Sequence, residues 1–191
     1  MLARTLALLA VLVPLAAHGD PPGDRPGGPD PLGPFSLRVG LGGGFSDLGV
    51  AGRAALEGEA WLDSRWGLGG TLAASAAGET TWNEPGLTAY NFRSAFLAIP
   101  EGVLALGTER SRFLLRGGLG LARYEWYQVG CEVAACPSVP AGGFDGVASV
   151  AGGYLLTPAP LALSFQLRGE RLLSSGGWAT TLDVAVGWSG P

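Results

Sequence analysis

The chain alternates. From Leu182 to Trp188 the even positions are Leu182, Val184, Val186 and Trp188, and the odd positions between them are Asp183, Ala185 and Gly187. A period of two sends these sets to opposite faces of a β-strand. Leu161 to Glu170 repeats the pattern most cleanly. Leu161, Leu163, Phe165, Leu167 and Gly169 oppose Ala162, Ser164, Gln166, Arg168 and Glu170. Phe35–Gly42 is apolar at odd positions, with Arg38 on the other face. Within 53–62, Ala54, Leu56, Ala60 and Leu62 oppose Arg53, Glu57 and Glu59. Residues 66–75 carry Trp66, Leu68, Leu72 and Ala74 on one face and Gly, Thr and Ser on the other. Within 112–126, Phe113, Leu115, Leu119 and Leu121 oppose Arg116, Gly118, Gly120, Ala122 and Tyr124. Residues 144–156 read as one more strand. The least regular stretch is 92–106, where Pro100 and Glu101 interrupt; a proline in a paired strand marks a bulge or an edge. Eight strands are predicted.

The connections add a second rhythm. Turns at 63–65, 107–111 and 157–160 are short, and polar loops at 78–91 and 127–143 are long. The short ones are the second, fourth and sixth connections, and the long ones are the third and fifth. Short turns on one side and longer loops on the other are the layout of an outer-membrane barrel, with short turns and both termini in the periplasm.

Hydropathy agrees. Mean hydropathy is +0.29 and 15% of residues are charged, against about 25% in soluble domains. Yet beyond the N-terminus no stretch approaches the roughly 20 apolar residues of a membrane helix. Alternating strands hide their apolar half from hydropathy windows. The predicted fold class is therefore all-β, an eight-stranded antiparallel up-and-down transmembrane β-barrel over residues 35–191. Ahead of it, residues 1–19 read as a cleaved signal peptide: Arg4, an apolar run from Leu6, then Ala17 and Gly19. Residues 20–34 are Pro-, Gly- and Asp-rich and read as a disordered leader.

The remaining chemistry is sparse. The one histidine, His18, lies in the predicted signal peptide, which excludes Ser-His-Asp and Cys-His catalysis and histidine metal sites from the mature chain. No catalytic residue, cofactor or metal site is expected. A net charge of −4 without a basic cluster argues against nucleic acid. Arg38, Arg53, Glu57, Glu59, Arg116, Arg168, Glu170 and Asp183 share the polar faces. In a membrane barrel they would point into a lumen narrow enough for side chains to fill, and would pair there. Glu57 and Glu59 could mimic an acid/base couple, but nearby arginines favour ion pairing. Cys131 and Cys136 in an exported chain predict a disulfide at a loop tip. Trp66, Tyr90, Trp126, Tyr127, Trp178 and Trp188 fall at strand ends, where aromatic girdles of a membrane barrel sit.

Strand rhythm, loop alternation and the terminal strand ending in Leu182, Val184, Val186 and Trp188 resemble the small OmpA/OmpX-like outer-membrane barrels. The resemblance spans residues 35–188 and implies a non-enzymatic integral outer-membrane protein with a structural or surface-interaction role. It also implies recognition of the last strand by the barrel-assembly machinery, with outer-membrane lipid as the surrounding partner. Relatives place an aromatic at the very end; here Ser189, Gly190 and Pro191 follow Trp188. Two other readings stay open: a secreted lipocalin-like barrel with its apolar faces turned inward around a ligand, and a channel.

Overall fold

In the computed structural model, residues 35–84, 87–108, 111–131, 138–157 and 161–189 are described. The predicted signal peptide (1–19), the leader (20–34) and Cys136 lie outside them. Eight strands follow in order: β1 (Phe35–Ser46), β2 (Gly49–Trp61), β3 (Trp66–Glu84), β4 (Leu87–Thr108), β5 (Ser111–Cys131), β6 (Ser138–Leu156), β7 (Leu161–Leu172) and β8 (Trp178–Ser189). Each pairs antiparallel with its neighbours, and β8 pairs with β1, so the sheet closes into a barrel. Within the closed ring, up to Gly78 on β3 and from Val147 on β6, closure pairs the strands without leaving an edge. Among the described residues no helix is long and apolar enough to cross a membrane.

The seam runs from Ser36↔Ser189 to Ser46↔Ala179. It is close, as are the β4–β5 and β6–β7 pairings at Gly118, Gly120 and Gly153. A Cβ on Gly42 would overlap the Asp183 carboxylate, and one on Gly44 would overlap the Thr180 carbonyl. Gly40, Gly42 and Gly44 are therefore a packing requirement of the seam.

One end of the barrel carries both ends of the described chain and the tight turn at 62–65. There Asp63 Oδ1 accepts the Arg65 and Trp66 backbone N–H groups, each at 2.7 Å. At the opposite end β1 and β2 join through Asp47 and Leu48, and Gly49 takes φ +100°, a conformation side chains resist.

Strand lengths divide the barrel. β1, β2, β7 and β8 have 12 or 13 residues. β3, β4, β5 and β6 have 19 to 22. Pairing of β2 with β3 stops at Val50↔Gly78, and pairing of β6 with β7 begins only at Val147↔Leu172. Beyond those points β3–β6 continue as a four-stranded sheet. This corrects the two long loops expected at 78–91 and 127–143: both are mostly hairpin strand. Their polar, turn-like sequence misled because it lacks the alternation that marks a strand.

Pro100 also departs from expectation. It lies inside β4 opposite Gly70, with no register shift nearby. Pairing with β5 lapses only between Ala98↔Leu121 and Glu101↔Gly118 and resumes in the same register. The missing N–H costs ladder bonds but does not end the strand.

Candidate functional site

Alternation decides which side chains enter the barrel. Leu37, Val39, Leu41, Leu56, Leu68, Leu72, Leu119, Leu121, Leu182, Val184 and Val186 face outward and are exposed. Arg38, Arg53, Glu57, Glu59, Arg116, Arg168 and Asp183 face inward and are buried, and Glu170 is half-buried beside them. A water-soluble protein reverses this order. The structure therefore corrects the lipocalin-like alternative, because its apolar faces point out and charge fills the inside.

Glu57 is the hub. Its Oε2 accepts from Arg116 Nη1 at 2.5 Å, Gln166 Nε2 at 3.0 Å and Arg38 Nη2 at 3.3 Å, while Oε1 accepts from Arg168 Nη2 at 3.2 Å. Glu59 accepts from both terminal nitrogens of Arg38 and from the Ser36 hydroxyl at 3.1 Å. Glu101 accepts from Thr71 Oγ1 at 3.0 Å and pairs with Arg168 and Arg116, the latter at 2.7 Å. Asp183 accepts from Arg53 Nη1 at 2.7 Å, and Arg53 Nε reaches Glu170 at 3.2 Å. Arg38 on β1 and Arg116 on β5 stand on opposite walls, so Glu57 ties the barrel across its lumen. Buried charges are tolerable only when paired and hydrogen-bonded in this way.

Apolar layers lie on either side of the ions. Ala55, Ala73, Leu97, Ile99, Val147 and Leu172 form one, toward the extension. Val103, Ala105, Leu114, Leu155 and Ala162 form the other, toward the termini, with Trp61 packed against it. Arg112 stacks over the Trp61 ring at 5.6 Å and donates to the Ser64 carbonyl at 3.0 Å. At the far end Arg93 spans from β4 to Asp47 with Nη1 and Nη2 at 3.0 and 2.6 Å. The Trp178 N–H also donates to Asp47, at 3.1 Å. Burial pushes the Asp47 carboxyl up, but the Arg93 and Trp178 hydrogen bonds outweigh it and hold the group below its ordinary value. Ion pairs and packed apolar layers cross the lumen, which leaves no wide passage for the channel reading.

Glu57 and Glu59 point to the same interior, but each carboxylate is engaged by arginine, with no free acid/base partner. Sequence reading missed Glu101, Thr71 and Arg93. Glu101 was masked because β4 is apolar on both faces: Ala95, Leu97, Ile99, Val103 and Ala105 face in, while Phe96, Ala98 and Leu104 face out. Trp66 and Trp188 are exposed at the end that carries the termini, and Trp126 and Trp178 toward the other. Tyr90 and Tyr127 lie in β4 and β5, with side chains outside the described ones. Cys131 ends β5; the predicted bridge to Cys136 lies outside the described residues.

No protein-family profile and no curated protein matches the chain. Solved structures do match its fold. The attachment invasion locus protein Ail of Yersinia pestis, in complex with the heparin analogue sucrose octasulfate, aligns with a TM-score of 0.55 at 12% identity, covering 81% of this chain and 96% of its own. A major outer membrane protein from Thermus thermophilus aligns at 0.54 and 11% identity, covering 81% and 98%. Neisserial surface protein A aligns at 0.52 and 10% identity, covering 82% and 97%. At such identities the likeness is one of fold: this chain has the fold of the small eight-stranded outer-membrane barrels.

Proposed function

We propose that the chain is a non-enzymatic, integral outer-membrane β-barrel whose extended β3–β6 sheet is its surface-interaction platform. The observation that carries this reading is the inverted distribution of polarity, with apolar residues outside and paired charges inside. Only a hydrocarbon surround makes that arrangement favourable. The short turn at 62–65 and both termini would face the periplasm, and the extension would project outside the cell. Trp66 and Trp188 would lie at the periplasmic interface, and Trp126 and Trp178 at the outer one. Residues 1–19 would direct export and be removed, residues 20–34 would remain as a leader, and β8 would engage the barrel-assembly machinery. Cys131 and Cys136 would pair at the tip of the β5–β6 hairpin.

The platform has a definite chemistry. Past Gly78, β3 has one hydrogen-bonded neighbour strand, and so has β6 before Asp145. Such edges present unpaired backbone groups to another extended chain. The narrow, ion-crossed interior favours this surface role over transport.

The test is membrane insertion. The chain is expected to fractionate with the outer membrane and to migrate differently on gels before and after boiling. Leu167→Arg, on the outward face, should destabilise the inserted barrel by about 2–4 kcal/mol. Secretion as a detergent-free soluble protein would refute the reading.

A further inference from the structure

Among the described residues, the outward surface has a depression that the aliphatic ridges do not fill. Gly58 on β2 pairs with Gly70 on β3, and above them Leu56 pairs with Leu72, while below them Ala60 pairs with Leu68. Leu37 on β1 stands opposite Gly58. With no side chains at the glycine pair, Leu37, Ala60 and Leu68 wall a groove of about 460 Å³ that runs down to Phe35 and Trp188. The groove is open: a Cβ on Gly70 would meet only the Ile99 carbonyl at 3.9 Å, and one on Gly58 only Leu37 Cδ1 at 3.8 Å. It lies toward the end that carries the termini.

Next to it stands a charged turn. Asp63 and Arg65 are each three residues beyond groove residues, Ala60 and Leu68, or about 10 Å further along the strands. Both side chains are exposed. The Arg65 and Trp66 backbone N–H groups hold the Asp63 carboxyl below its ordinary value, so it stays ionised. Asp63 Oδ1 is taken by those N–H groups, which leaves Oδ2 facing solvent as an acceptor. An apolar slot thus ends beneath one cation and one anion.

We infer that this groove is a site for a single periplasmic-leaflet phospholipid whose headgroup carries both a phosphate and a primary ammonium, as phosphatidylethanolamine does. An acyl chain fills the slot over Gly58 and Gly70, the phosphate meets Arg65, and the ammonium meets Asp63. A purely anionic headgroup satisfies Arg65 but is repelled by Asp63. The site rests on the outer-membrane reading, which sets the groove in lipid.

The full-length mature chain is reconstituted in vesicles of equal phosphatidylethanolamine and phosphatidylglycerol, released in mild detergent, and weighed by native mass spectrometry. The expected result is one retained phospholipid per barrel, with about a threefold preference for phosphatidylethanolamine, the size of an exposed ion-pair effect. Gly70→Leu should abolish retention while the barrel still shifts on heating in a gel, which shows that it has folded. Asp63→Asn should retain lipid with the preference erased. An inserted wild-type barrel without lipid overturns the site alone, as does equal retention by Gly70→Leu. Disulfide dimers of Gly70→Cys in the vesicles would assign the groove to a second copy and overturn it as well. Equal retention of both lipids by the wild type overturns the headgroup assignment. Failure to insert at all overturns the membrane reading and the site with it.

Discussion

The barrel has two unlike halves. β7, β8, β1 and β2 are short and supply most of the interior charge: Arg168 and Glu170, Asp183, Arg38, and Arg53, Glu57 and Glu59. β3 to β6 are long and supply most of the interior hydrocarbon: Ala73, Leu97, Ile99, Val103, Leu114, Val147 and Leu155. The long half sends only Glu101 and Arg116 into the ion cluster as charged groups, and both bind charges from the short half. The difference shows how a narrow barrel can be both polar inside and tightly closed. One wall holds the charges, the other packs apolar layers above and below them, and two residues lock the walls together. The same long wall is the one that continues past the barrel, so the outward extension grows from the half with an ordinary packed interior.

Breaking the lock should have the largest effect. Glu57→Leu removes the carboxylate that Arg38, Arg116 and Arg168 share and leaves them only Glu59 and Glu101. The expected cost is about 3 kcal/mol, the low end of the range for removing one partner from a buried ion pair, read by urea unfolding in vesicles. A loss below about 1 kcal/mol, the scale of an exposed pair, would mean that the ions are dispensable. Breaking the hydrocarbon wall comes next. Leu114→Ala opens a cavity in the layer near the termini and should cost about 2–3 kcal/mol. If Leu114→Ala instead exceeds Glu57→Leu, the halves have been ranked the wrong way round.

The smallest effect belongs to the outer clasp. Arg93 and Asp47 are partly exposed, so Arg93→Ala should cost only about 1 kcal/mol. Its signature is the pH profile. Asp47 titrates below its ordinary 3.8 in the folded barrel, so the stability it contributes is complete above that value and is lost as pH falls through the lower, folded one. Arg93→Ala should flatten that acid limb. An unchanged limb would show that the Trp178 N–H, not the guanidinium, holds the carboxylate.

Legibility in the sequence followed the same division. The short half could be read residue by residue: β7 sets Leu161, Leu163, Phe165 and Leu167 against Ser164, Gln166 and Arg168, and charge marks the inward face. In β4 both faces are apolar, so Glu101 looked like an interruption when it is a central ion-pair partner. The extension failed for a different reason. Its strands carry no clean alternation, and turn-like residues such as Asn83, Glu84, Pro85 and Gly86 dominate the reading. What pairs with what across the lumen was also illegible, because a strand's pattern fixes the direction of a side chain but not the partner it meets. Asp183 was visible as inward-facing; that it takes Arg53 depends on how the strands are staggered around the whole circle.

The glycine-lined seam bears on how this protein can vary. Gly40 and Gly44 on β1 and Gly187 on β8 have no side chain to pair or to layer, and Gly42 serves only to leave room for the Asp183 carboxylate, yet added methyl groups at all four would run into the facing strand. The positions least able to accept a new side chain are thus chemically blank ones, while the outward glycines at 58 and 70 have room to spare. A library of substitutions would find sharp intolerance, as at Gly118, Gly120 and Gly153, along a line that looks featureless, where the first strand made must leave space for the last.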